Sequence, residues 1–206
     1  MLLYAVTDRR WTKNTTLEKH VEDAIKGGVT CVQLREKNMD HDDFLAEAIN
    51  IGKICRKYNI PFIIDDNIEI AVESDSDGVH IGQGDMPLCE ARRILGDDKI
   101  IGVTARTKEQ AVEAERDGAD YIGSGAVFKT DTKTDTKPLS YDELKEICGA
   151  VAIPVVAIGG INKDNILTLR GSGAAGAALV SAIFGAEDIE NECKKLRALS
   201  ERMVKG

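Results

Sequence analysis

The residues best suited to chemistry in this chain come in short polar clusters, each placed directly behind an apolar run. Gln33-Leu34-Arg35-Glu36-Lys37 follows Thr30-Cys31-Val32, and Asp65-Asp66 follows Phe62-Ile63-Ile64. Gly82-Gln83-Gly84-Asp85 follows Gly78-Val79-His80-Ile81, and Thr104 follows Ile100-Ile101-Gly102-Val103. Later clusters are Thr130-Asp131-Thr132-Lys133, Gly159-Gly160 and Val180-Ser181. Arginine offers a planar fork for phosphate oxygens, and lysine a mobile point charge. Lone carboxylates such as Asp66 and Asp85 suit Mg²⁺, which takes one or two of them and fills its shell with water and substrate phosphate. Each cluster also has a plain alternative. The first reads as a solvated strand end, Asp66 as a helix cap, Asp85 as a loop charge and Gly159-Gly160 as a tight turn. Their relative placement has to decide.

The pattern of apolar residues supplies that placement. Leu2 to Thr7 reads as a strand, and Thr15-x-x-Glu18 opens a helix whose stripe is Leu17, Val21, Ala24 and Ile25. A long helix carries Phe44, Ala48, Ile51, Cys55 and Tyr58 on one face. Strands are expected at 62–64, 78–81, 100–103, 121–123, 155–158 and 177–180, with helices at about 68–73, 88–95 and from 107. A Ser140-x-x-Glu143 box opens another, 163–169 reads as a seventh, and Ile189, Cys193, Leu196, Leu199 and Met203 mark the last. The longest loop is expected at Ser124 to Leu139. Eight strand-then-helix repeats in 206 residues fit a compact (β/α)8 TIM barrel, one α/β domain over 1–206. The runner-up is an open doubly wound sheet, but no GxGxxG follows the first strand.

Composition narrows the function classes. With 27 Lys+Arg against 35 Asp+Glu the net charge is -8, which argues against nucleic-acid or anionic-membrane partners. The five cysteines are widely spaced with no CxxC, so neither a disulfide framework nor a zinc site is suggested. No signal peptide or membrane span is read, and the protein is expected to be cytoplasmic. Small-molecule substrates are expected, with room for a homo-oligomer.

In such a barrel, function gathers where the strands end. Seven of the eight ends carry polar groups: Gln33/Arg35/Lys37, Asp65/Asp66, Asp85, Thr104, Thr130/Thr132/Lys133, Gly160 and Val180/Ser181. Together they read as an anion site with a metal. Gly159-Gly160 and Ser181 follow strands seven and eight, the usual phosphate position. A metal beside two cations is what a pyrophosphate leaving group requires. His80 reads as a core or rim histidine, and no Ser-His-Asp or Cys-His arrangement is legible, so covalent catalysis is not indicated.

Over essentially its whole length the chain resembles the thiamine phosphate synthase family. The resemblance rests on Val6-Thr7-Asp8, Gln33 to Lys37, Ile64 to Asn67, Asp77 to Asp85, Ile101 to Thr104, Thr130 to Lys133, Val156 to Asn162 and Leu179 to Ile183. It implies a small barrel that joins an aminopyrimidine pyrophosphate to a thiazole phosphate with Mg²⁺. It further implies that Gln33, Leu34, Arg35, Glu36 and Lys37 line the pyrimidine site, with Asp65 beside them. Arg35, Lys37 and Lys133 would contact pyrophosphate, Asp66 and Asp85 would hold Mg²⁺, and Thr104 would stand near the reacting groups. Thr130, Asp131, Thr132, Gly160, Val180 and Ser181 would hold the thiazole phosphate.

Three positions depart from the family's pattern: Asp65 for Asn, Lys129 for Pro and Arg106 for His. Lys129 or Arg106 is expected to offset Asp65, unless Asp65 joins the metal. The tandem Thr-Asp-Thr-Lys leaves Lys137 as an alternative to Lys133, which is preferred as nearer to strand six. A related thiazole tautomerase and a non-catalytic phosphate-binding barrel are the rival functions. The first needs neither the acid pair nor the cations kept here.

Overall fold

Short apolar segments that end in polar residues are what a parallel barrel demands, because each strand is covered on both faces until it emerges. The computed structural model of the protein describes residues 1–12, 15–130 and 138–205. Its strands are β1 (Leu3–Val6), β2 (Cys31–Leu34), β3 (Phe62–Asp65), β4 (Gly78–Ile81), β5 (Ile100–Thr104), β6 (Tyr121–Gly125), β7 (Val155–Ile158) and β8 (Gly176–Leu179). They pair in parallel in sequence order, and β1 also pairs with β8 to close the ring. That closure excludes the open sheet.

The helices are α1 (Leu17–Lys26), α2 (His41–Lys57), α3 (Ile68–Glu73), α4 (Leu88–Leu95), α5 (Lys108–Arg116), α6 (Tyr141–Ala150), α7 (Ser181–Phe184) and α8 (Ile189–Val204). Most open on a polar side chain that accepts an orphan N–H of the first turn. Ser140 and Glu143 form the expected reciprocal box. At α1 the cap is Thr16, which accepts from Lys19 N at 3.2 Å, one residue beyond the Thr15 box expected. The expected helix at 163–169 is a 3-10 turn over Ile166–Leu169. Asn162 N donates to Asn165 Oδ1 (2.8 Å) and Asp164 N to Asn162 Oδ1 (2.9 Å), and such local bonds compete with helix formation.

Side chains alternate between two cores, as period-two strands require. Leu3, Ala5, Val32, Leu34, Ile64, Val79, Ile101 and Ile122 face the helices. Tyr4, Val6, Cys31, Ile63, Tyr121, Val156 and Ala178 fill the barrel. β6 runs on through Ser124, which is fully buried and donates to Ala105 O at 2.9 Å, so the following loop begins later than Ser124. Among the described residues no helix is long and apolar enough to cross a membrane.

Candidate active site

The inward alternation continues past the apolar core, so each strand delivers its next inward residue to the barrel's C-terminal mouth. There a cavity of about 450 Å³ is lined by Gln33, Arg35, Lys37, Asp65, Asp66, Asp85 and Thr104 on one part of its wall. Gly159, Gly160, Val180, Ser181 and Thr130 line another part. A more open groove of about 660 Å³ continues outside the mouth and shares Arg35 and Lys37. Asp131, Thr132, Lys133 and Lys137 lie outside the described residues.

Arg35 and Lys37 leave β2 on the same side because one residue separates them. Arg35 Nε and Lys37 Nζ each stand 3.5 Å from Asp65 Oδ2, and Lys37 also pairs with Asp66. The added charge of Asp65 is therefore met by the motif's own cations, where Lys129 or Arg106 had been expected. Arg106 donates to the Gly125 carbonyl from a cavity-lining position. Partial burial would pull the Lys37 ammonium down, but Asp66 and Asp65 outweigh it and hold its pKa above the ordinary value. Glu36, between the two cations, turns the other way and accepts from Arg9 Nε at 3.2 Å. Leu34 is fully buried against the helices. The structure thus brings neither Leu34 nor Glu36 to the wall of the inner cavity, for the same alternation that puts Arg35 and Lys37 there, while Glu36 lines the outer groove.

The cap alternative for Asp66 does not hold, whereas Asp85 is an exposed carboxylate on the loop after β4. Asn67, not Asp66, caps α3, accepting from Ile70 N at 3.0 Å. Asp66 sits in the left-handed region (φ 61°) with its N–H on His80 O at 2.8 Å. Asp is among the few residues that tolerate this conformation, and such strain clusters at functional sites. Asp85 is tied down by Gly82 N, which donates to its carboxylate at 2.6 Å. Partial burial raises the Asp85 carboxyl above its ordinary range; the Gly82 bond opposes this, and the neighbouring Asp66 carboxylate adds to it. Two carboxylates that repel each other at an open mouth form a donor set that a divalent cation fits.

The glycine pair lines the facing part of the wall. Gly159 and Gly160 have φ of 102° and 67°, and a Cβ on Gly160 would lie 2.5 Å from Lys129 O. The backbone of 126–130 folds back onto them, with Phe128 N donating to Gly159 O at 3.0 Å. Asn165 Nδ2 donates to Gly160 O at 2.9 Å, which turns that carbonyl toward the 3-10 segment. Ser181 opens α7, where first-turn N–H groups have no intrahelical acceptor.

A polar chain inside the barrel escaped the sequence reading. Gln33, Tyr4, Tyr121, His80 and Thr104 are linked in that order by bonds of 2.9–3.0 Å. Burial pushes both tyrosine hydroxyls well above their ordinary pKa. The available signal lay in the strand glycines. A Cβ on Gly102 would fall 2.0 Å from the Tyr121 ring and one on Gly123 2.8 Å from His80, so both glycines make room for these rings. Gln83 was also passed over; its Nε2 donates to Thr104 O at 2.7 Å and joins the β4 loop to the end of β5.

Fold and site together define a (β/α)8 barrel enzyme whose mouth combines a cation pair, an acid pair and a glycine pair. The thiamine monophosphate synthase family model matches residues 3–183. A thiamine-phosphate synthase of Ruminiclostridium cellulolyticum is 51% identical over 94% of this chain and 92% of its own. One of Clostridium acetobutylicum is 51% identical over 93% and 91%. Among solved structures, a thiamine phosphate pyrophosphorylase from Pyrococcus furiosus superposes with a TM-score of 0.90 at 38% identity, over 98% of this chain and 96% of that one. The chain belongs to the thiamine monophosphate synthase family.

Proposed function

We propose that this chain is a thiamine-phosphate synthase, a transferase that condenses 4-amino-2-methyl-5-pyrimidinylmethyl diphosphate with thiazole phosphate. The thiazole is 4-methyl-5-(2-hydroxyethyl)thiazole phosphate or its carboxylated form. The bond between the methylene carbon and the diphosphate oxygen breaks, and its electron pair leaves with pyrophosphate. The electron-rich aminopyrimidine delocalises the resulting cation, and the thiazole nitrogen lone pair forms the new C–N bond. With the non-carboxylated thiazole, atoms and charge balance without a proton transfer; the carboxylated form also loses CO2, the electron pair staying on C2, which takes a proton from water. Among the described residues the site holds no Ser-His-Asp or Cys-His arrangement.

The observation that carries this reading is the convergence of Arg35, Lys37, Asp66 and Asp85 on one part of the mouth, facing Gly160 and Ser181. Arg35 and Lys37 grip the diphosphate and stabilise the charge that develops on it, with Lys133 as a third cation. Asp66 and Asp85 would hold Mg²⁺, which when bound supplies further neutralisation of the leaving group. Gln33 and Asp65 border the pyrimidine, and Thr104 stands beside the reacting centre. Gly160, Val180, Ser181 and Thr130, with Asp131 and Thr132, receive the thiazole phosphate. Catalysis then rests on positioning and electrostatics, for which effective molarity alone supplies roughly 7–11 kcal/mol. Residues 1–206 are read as one barrel domain.

The test is to incubate the protein with both substrates and Mg²⁺ and to look for thiamine phosphate by mass spectrometry. No product with any divalent cation would remove this reading.

A further inference from the structure

The hydrogen-bond chain inside the barrel has a property that its individual bonds do not. Gln33 Nε2 donates to the Tyr4 hydroxyl (3.0 Å), and the Tyr4 and Tyr121 hydroxyls lie 2.9 Å apart. His80 bridges Tyr121 through Nδ1 and Thr104 through Nε2, both at 2.9 Å. A hydroxyl has one proton, and a neutral imidazole one N–H. With Gln33 donating, Tyr4 gives its proton to Tyr121, Tyr121 gives its own to His80 Nδ1, and His80 donates from Nε2 to Thr104. The Thr104 proton is then left for the cavity. While each hydroxyl gives its proton to a neighbour within the chain, reversing one bond reverses them all, which leaves two polarities; Tyr4 also has the Cys31 thiol as a hydrogen-bond partner.

These polarities present opposite ends to a ligand. Gln33 lines the cavity, and among the described residues its amide makes only the bond to Tyr4. In the first polarity the cavity sees a Gln33 carbonyl acceptor and a Thr104 hydroxyl donor. In the second it sees a Gln33 amide donor and a Thr104 acceptor. An amino group beside Gln33 and a diphosphate beside Thr104 match the first; in the second, Thr104 turns a lone pair toward the anion. An amine requires an acceptor, and an anion requires a donor.

We propose that Tyr4, Tyr121 and His80 are positioning residues that hold the chain in this first polarity. Recognition of the pyrimidine amino group at Gln33 is thereby coupled to hydrogen-bond donation toward the diphosphate at Thr104. The coupling rests on the reaction proposed above, whereas the polarity is a property of the protein alone. A purely structural network would tolerate either direction.

The chain contains three histidines, so substituting His20→Gln and His41→Gln leaves His80 as the single imidazole for ¹⁵N NMR. The expected spectrum at neutral pH, without substrates, is that of a neutral ring with a protonated Nε2 and a pyridine-like Nδ1. A protonated Nδ1, an averaged tautomer mixture or a doubly protonated ring overturns the assigned polarity. Tyr4→Phe keeps the ring but removes one link. It is expected to raise KM for the pyrimidine diphosphate roughly tenfold, to leave KM for the thiazole phosphate unchanged, and to shift the His80 signals. Unchanged pyrimidine KM and unchanged His80 signals overturn the coupling. Product formation with the wrong tautomer would sink the chain alone, and the right tautomer without product would sink the reaction alone.

Discussion

Replacing Asp65 with asparagine probes how the cation pair is held before a substrate arrives. The carboxylate is 10% exposed and stands 3.5 Å from both Arg35 Nε and Lys37 Nζ. At that separation and an effective dielectric of about 20, one such pair has a gross attraction of roughly 5 kcal/mol. Desolvation and screening cancel most of it, because the Lys37 side chain is 45% exposed and keeps Asp66 as a partner. The net destabilisation of D65N is about 1–2 kcal/mol, a fall in melting temperature of roughly 2–8 °C for a chain of this size. Substrate binding moves the opposite way. A diphosphate has to draw Arg35 and Lys37 away from Asp65, so removing the competing charge lowers its KM by roughly five- to tenfold, about 1 kcal/mol. Thermal melts and initial rates with each substrate varied measure both effects, with KM for the thiazole phosphate as the unchanged control. A D65N variant with wild-type melting temperature and wild-type diphosphate KM would refute this reasoning.

Other outcomes follow from the same structure. Gly160→Ala places a Cβ 2.5 Å from Lys129 O at φ 67°; it should cost about 2–3 kcal/mol in urea unfolding and raise KM for the thiazole phosphate selectively. Lys133→Ala is expected to lose far more turnover than Lys137→Ala, and the reverse order would move the third cation to Lys137. A thiol reagent on the native protein should label Cys89 first, since Cys31, Cys55 and Cys193 are buried. Burial pushes Cys55 and Cys193 up to about 12. The folded state therefore keeps these protons to higher pH than the unfolded chain, and stability falls as pH rises above the ordinary thiol value of about 8.5. Urea midpoints at pH 8 and 10 should show that loss, and Cys55→Ala should shrink it.

The barrel was legible because its signals are local. Strands such as Gly78–Ile81 and Val155–Ile158 are apolar runs between turn residues, and α3 and α4 start and stop where their patterns do. The cation pair was legible for a related reason: a polar residue two positions beyond an inward strand residue shares its face, as Arg35 follows Gln33. Asp66 and Asp85 lie beyond the ends of β3 and β4, off that alternation, and were legible only from following adjacent strands. What stayed hidden depends on contacts between distant strands. Tyr4 and Tyr121 are 117 residues apart, and nothing near either one announces the other. Alternation turns Glu36 away from Arg35 and Lys37, but its partner Arg9, from a turn 27 residues away, was not legible. The counter-charge for Asp65 was sought at departures from the family pattern, whereas the β2–β3 pairing brings Arg35 and Lys37 to it.

Asp66 and Asp85 matter most to the account if the diphosphate leaves at their part of the mouth. The most direct measurement follows the reaction of both substrates by ³¹P NMR in the wild-type protein and in an Asp66→Asn/Asp85→Asn variant, each with saturating Mg²⁺. The prediction is one pyrophosphate released per thiamine phosphate formed by the wild type, with turnover reduced at least 10²-fold in the variant. Thiamine phosphate formed at comparable rates by both proteins, or pyrophosphate released without it, would contradict the account.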